Sequence, residues 1–295
     1  MTKLKIDLDF SLKRLDLFTK SLVNTKFLGN YKSAFKGTGL EFSDYRKYNE
    51  GSDDSSLIDW KASKRVNELL VKEFVEERNL NIIFLVDVSA KMLTSSLEKL
   101  KAEYIAEIVA SLTYSMLNAE DAVGLILFSD KIIKFVAPQR GVGQYYNITN
   151  NLIESSNYKG YSNVEKATEF AFNKIEENSL VIIFSDFIYP IQSEKIFKLA
   201  SKKFDLISIM VRDPIDMTLP EGTGEVAVED PYSGEILLLD PEKMREEYSK
   251  EAINQIERIR TLMKNSGADF LFLETNKEFG KYIIEFFKKR EAKWR

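Results

Sequence analysis

The chain has neither cysteine nor histidine in its 295 residues. The first absence excludes disulfides, thiolate nucleophiles and thiolate-held zinc. The second removes the commonest general base near neutral pH and the commonest transition-metal ligand. Chemistry is left to carboxylates, hydroxyls, Lys, Arg and Tyr, and any metal must be a hard, oxygen-preferring cation such as magnesium, calcium or manganese. No window reaches the roughly 18 uninterrupted apolar residues of a spanning helix. The opening MTKLKIDLDFSLKRLDLF is interrupted by charge and has no signal-peptide core. A cytoplasmic protein is expected, with no membrane contact. A phosphate-binding loop ending in Gly-Lys-Ser/Thr is also absent, and RGVGQ at 140–144 does not replace it.

What is present suits an ordinary globular chain, 44% apolar and 30% charged, long enough for one large domain or two smaller ones. Its net charge of −4 speaks against nucleic-acid binding, which needs a concentrated basic surface. Leu12, Leu15, Leu17, Phe18, Leu22 and Phe27 recur at helical spacing and predict an amphipathic helix near the start. Residues 29–79 are rich in glycine, aromatics and charge, with one alternating run, LLVKEFVEE, that reads as a strand.

From residue 80 the pattern changes. Apolar runs at 82–88, 122–129, 131–137, 180–186, 204–211 and 268–274 read as strands. Helical stretches are predicted at 95–118, 142–155, 163–177, 191–202, 241–265 and 276–290. Strands apolar on both faces and separated by helices predict an α/β fold, a mainly parallel sheet covered on both sides. The tight SDK link at 129–131 predicts one antiparallel hairpin at an edge, and EVAVEDPYSGEILLLD a second within an insertion at 212–241. The division is therefore 1–79 and 80–295. Phe279, Tyr282, Ile283, Phe286 and Phe287 mark the closing segment as a docking helix.

Ligands of parallel sheets bind where loops converge at the carboxyl ends of strands. Asp87 and Asp186 both end strand candidates, and Ser162 stands in a loop before a helix. Each could be only a helix cap. Together they resemble the metal-ion-dependent adhesion site of von Willebrand factor A domains, with Asp87 and Ser89 matching its first motif, Ser162 its second and Asp186 its third. That resemblance implies magnesium or manganese held by acids and hydroxyls, with a partner carboxylate completing the shell. Where the motif has a second serine, this chain has Lys91, either solvated along its stem or pointing between Asp87 and Asp186 in place of the ion.

The stretch LEFSDYRKYNEGSDDSSLIDWKASKR, with VKEFVEER leading into the first strand, resembles the signature of a bacterial family of unknown function, number fifty-eight in its series. The resemblance implies a von Willebrand A-like domain and a MoxR-type AAA+ ATPase as partner. It also draws attention to Arg46, Asp53, Asp54, Asp59, Trp60 and Arg65, as a buried hydrogen-bonded network or as a partner surface. The function expected is non-enzymatic: an adaptor in the assembly or maturation of other proteins, binding through an altered adhesion site. Two readings compete with it. One is a metal-dependent hydrolase using the strand-end carboxylates, and the other a single-stranded RNA binder using YKSAFKGTG.

Overall fold

A computed structural model describes residues 41–49, 55–66, 68–75, 80–222, 224–229 and 236–294. The helix expected near the start, Asp53, Asp54 and the PYSG turn lie outside the described residues. Two compact units emerge, one within Phe35–Asn79 and the other within Leu80–Arg295.

In the smaller unit, β1 (Glu41–Lys47) pairs antiparallel with β2 (Leu70–Val75), and a two-turn helix, α1 (Trp60–Val66), lies between them in sequence. β2 falls in the alternating run. β1 has no such signature, because EFSDYRK mixes charge into both of its alternating faces; its strand conformation comes from a partner far along the chain. Asp59 caps α1 by accepting from the N–H groups of Lys61 and Ala62, each at 3.0 Å. Ser63 ties the helix to β2, donating to Asp59 O at 2.7 Å and accepting from Leu70 N at 2.8 Å.

The larger unit runs β3 (Asn81–Asp87), α2 (Lys101–Asn118), β4 (Ala122–Phe128), β5 (Ile132–Gln139), α3 (Val142–Ile153), α4 (Val164–Lys174), β6 (Leu180–Ser185), α5 (Lys195–Lys203) and β7 (Asp205–Arg212). It continues with the hairpin β8 (Val226–Glu229) and β9 (Ile236–Leu239), then α6 (Pro241–Ser266), β10 (Asp269–Glu274) and α7 (Phe279–Trp294). Six strands form one sheet in the order β10-β7-β6-β3-β4-β5. All pairs are parallel except β4 with the edge strand β5. This is the expected mainly parallel sheet with one antiparallel edge.

Alternation along the strands sorts the core. Ile83 and Leu85 of β3, Ile126 and Phe128 of β4, and Val181 and Ile183 of β6 share one cluster with residues of α4, α5 and α6. Phe84 points the other way and meets Phe184 at 6.1 Å between ring centres. On that side α2 packs on α3, with Tyr114 edge-on to Tyr145 at 5.9 Å. Residues 82–86 are all buried, and each such side chain contributes roughly 2 kcal/mol on leaving water, so the central place of β3 follows from its composition. In α7, Phe279, Ile283 and Phe287 turn inward at four-residue spacing.

The helix expected from residue 95 begins at Lys101. The preceding residues serve another purpose: Ser95 Oγ donates to Asp213 Oδ2 at 2.7 Å, and the Ser96 N–H and hydroxyl donate to Asp213 Oδ1 at 3.0 and 2.5 Å. Serine side chains offer such alternatives to helix, and here a carboxylate beyond β7 takes them.

Candidate functional site

Central strand β3 ends in Asp87, which is 1% exposed. Its Oδ1 accepts from the Ser89 N–H at 2.9 Å. Its Oδ2 accepts from Ser162 Oγ at 2.5 Å and from Ser185 Oγ, on the last residue of β6, at 2.7 Å. Three segments distant in sequence thus meet on one carboxylate. The loop holding Ser162 is fixed by two backbone bonds, Lys159 N to Val88 O at 2.9 Å and Ala90 N to Gly160 O at 3.0 Å. Gly160 has φ +76°, a left-handed conformation that favours glycine. The helix cap next door is Asn163, whose Oδ1 accepts from Lys166 N at 2.9 Å; Ser162 is left for Asp87. Burial pushes the Asp87 carboxyl up to about 6, the nearby charge of Asp186 adds to the rise, and the three donors offset it only in part.

Asp186 follows β6 and is equally buried. Its Oδ1 accepts from Ile188 N at 3.0 Å, and its Oδ2 accepts from Lys101 Nζ at 2.9 Å. The same ammonium donates to Asp216 Oδ2 at 2.9 Å. Burial would raise the Asp186 carboxyl, but Lys101 and then Arg212 outweigh it and hold the group below its ordinary range. For Lys101 burial acts downward, and the two carboxylates more than reverse it. The turn after Asp186 is strained: Phe187 has φ 50°, a conformation costly for a side chain of its size, and its ring is buried in the core.

Asp87, Ser162 and Asp186 are therefore gathered at the strand ends, and Ser89 is buried beside them, its hydroxyl without a hydrogen-bond partner among the described residues. Lys91 is half-buried in a single turn, Ala90–Leu93, where its carbonyl accepts from the Thr94 N–H and hydroxyl at 3.2 and 2.7 Å. The cation on Asp186 is Lys101, which sequence reasoning passed over, as it did Ser185 and Asp216. A trace existed: Lys101 opens a helix whose following turns are nearly all buried, an unexpected place for an ammonium without a partner.

The upstream residues that are described stand largely at the surface. Trp60 is 67% exposed, and Arg46 and Arg65 are exposed. Asp59 serves as the α1 cap described above and accepts from Tyr45 Oη at 3.1 Å.

The strand-end donors do not fit a divalent cation. Magnesium needs about six oxygens in octahedral array. Here every carboxylate oxygen of Asp87 and Asp186 already accepts a hydrogen bond, one of them from an ammonium, and the Ser162 proton points at Asp87. Ser89 Oγ is the one hydroxyl of the set left over, and a single neutral oxygen suits a water better than an ion.

A mainly parallel α/β sheet carrying an acid and hydroxyl cluster at its strand ends thus defines the class of protein. The chain belongs to the family described as Protein of unknown function DUF58, whose model matches residues 44–258. An uncharacterized protein of Mycobacterium tuberculosis is 22% identical over 280 residues, covering 94% of this chain and 87% of that protein. Among solved structures, the conserved hypothetical protein BatB from Bacteroides thetaiotaomicron is similar at 16% identity and a TM-score of 0.49, over 72% of this chain and 99% of that one. A von Willebrand factor type A structure from Catenulispora acidiphila is similar at 8% identity and a TM-score of 0.36, over 76% and 44%.

Proposed function

We propose that this chain is a von Willebrand A-like protein-binding module of the cytoplasm, without catalytic activity of its own. In this reading it is an adaptor for a MoxR-type AAA+ ATPase in the assembly or maturation of other proteins, and the ATPase supplies the energy. The partner is what the resemblance of the upstream signature implies, and the energy is assigned to it because the sequence has no phosphate-binding loop of its own. Among the described residues no helix is long and apolar enough to cross a membrane.

The observation that carries the proposal is an aromatic pair at the mouth of the strand-end cluster. Tyr161 and Tyr189 are 47% and 44% exposed, with ring centres 6.1 Å apart. Tyr161 precedes Ser162, and Tyr189 follows Asp186 by three residues. Rigid aromatic side chains exposed beside a fixed polar cluster are the usual anchors of protein interfaces. A hydrolase has less support, since Asp87 and Asp186 are both 1% exposed and held by internal donors, out of reach of a substrate and its water.

The test is surface plasmon resonance between the immobilised chain and a MoxR-type AAA+ ATPase from the same organism, with an unrelated AAA+ ATPase as control. Selective binding that weakens about tenfold or more in Tyr189→Ala, as for an interface anchor, is the expected result. Equal binding of the control, or none, removes the proposed partnership.

A further inference from the structure

The strand-end site has an adhesion-type arrangement of acids and hydroxyls, yet its donors do not fit the ion that arrangement implies. The reason lies in the charges around it. Asp186 and Asp216 face Lys101, whose side chain is 0% exposed while theirs are 2% and 10%. Arg212, 2% exposed, is the second cation of the group: both carboxylates act on its guanidinium, and its Nη2 donates to Gln255 Oε1 at 2.9 Å. The Lys101 ammonium, 2.9 Å from both Asp186 and Asp216, holds the place between these two carboxylates, and a divalent ion entering there would lie against a buried positive charge, a large electrostatic cost.

The other acids nearby have been satisfied without an ion. Asp213 accepts from Ser95 Oγ, from Ser96 N and Oγ, from Ile215 N, and from Thr275 Oγ1 at 3.2 Å. Asp87 takes two hydroxyls and one N–H. Lys101 reaches this network because it stands in the first turn of α2, and its two acceptors come from separate strands: Asp186 from the end of β6, and Asp216 from the turn after β7.

We propose that the strand-end site is built on an internal cation: the ammonium of Lys101, closed between Asp186 and Asp216, takes the electrostatic role of a divalent ion, so the site is assembled and presents its surface with no metal. This rests on the reading of the site as a protein-binding surface and specifies how that surface is held. Lys101 acts as a positioning residue, setting the β6 turn that leads to Tyr189.

The experiment is titration of the purified full chain with Mn²⁺, followed by the paramagnetic signal of the free ion, with thermal unfolding in the presence and absence of Mg²⁺ alongside. The wild type should leave the Mn²⁺ signal unchanged at equimolar ratio, and Mg²⁺ should not move its unfolding midpoint. Lys101→Ala, with the cation gone and both carboxylates kept, should bind Mn²⁺ on the order of a hundredfold more tightly and unfold at higher temperature when Mg²⁺ is added. Lys101→Gln takes its place if Lys101→Ala does not fold. Stoichiometric Mn²⁺ uptake by the wild type that Asp87→Asn abolishes would overturn the proposal, as would a folded Lys101 variant indifferent to both ions. Neither result touches the ATPase binding assay, so failure here and failure of the adaptor reading are separable.

Discussion

Lys101 Nζ lies 2.9 Å from Asp186 Oδ2, joining the start of α2 to the end of β6 through a pair closed to solvent. Removing one member of a buried pair leaves the other uncompensated, at a cost of about 3–5 kcal/mol. Lys101→Met is expected to lose that much in urea unfolding. Lys101→Met with Asp186→Asn should lose clearly less than the two single losses added together, because the second change removes one of the two carboxylates, Asp186 and Asp216, that the first leaves without their cation. Strict additivity would mean that the pair is not coupled.

Stability should depend on pH through Asp87. Its carboxyl moves from an ordinary 3.8 to about 6 on folding, so the native state binds this proton more tightly. The contribution, on the order of 3 kcal/mol, is fully present below 3.8 and is lost as pH rises through about 6. Asp186 and Asp213 are held low and act in the opposite sense: their contribution is present above the ordinary carboxylate range and fades as pH falls through their lowered values. Urea midpoints should therefore rise between about pH 7.5 and about pH 5, then fall in stronger acid. Asp87→Asn should abolish the rise and keep the fall.

Arg290 anchors the last helix. Its guanidinium reaches Asp205 and Asp269, the first residues of β7 and β10, each at 2.6 Å, while its own side chain is 2% exposed. The carboxylates keep partial contact with water, so Arg290→Met should cost less than a wholly buried pair, roughly 2–3 kcal/mol. Limited proteolysis should then cut first within α7. Unchanged resistance there would show that Phe279, Ile283 and Phe287 hold the helix alone.

Gly124 sits where β4 and β5 slip register, between Val123 and Leu125. A Cβ would lie 2.8 Å from Val136 O and 2.9 Å from Pro138 N, both backbone atoms that cannot swing aside. Gly124→Ala should destabilise by about 1–3 kcal/mol, against a gain of roughly 0.5–1 kcal/mol for replacing glycine within a strand. A more stable variant would show that the edge strand can move.

The strands of the larger unit were legible as short continuous apolar runs and its helices by apolar residues recurring near every 3.6, and such segments must be buried whatever surrounds them. Asp87 and Asp186 were legible for a related reason: an acid ending an apolar run lies at the rim of a sheet. Ser185 and Asp216 were not, since nothing within a few residues of them indicates a partner, and for Lys101 the apolar helix it opens calls for a partner without saying which. For the upstream residues the sequence left a buried network and a partner surface both open, because charges and aromatics in one segment do not record how much structure covers them. Trp60, Arg46 and Arg65 are exposed, and Asp53 and Asp54 lie outside the described residues.

The sequence by itself determined the α/β class, the antiparallel edge, the strands ending in acids and the exclusion of thiol and imidazole chemistry, all consequences of local composition. Only the tertiary structure decided which cation sits on which carboxylate. Asp186 lies 85 residues from Lys101 along the chain, and an ion pair forms wherever folding brings opposite charges together out of water, an event that sequence distance does not record.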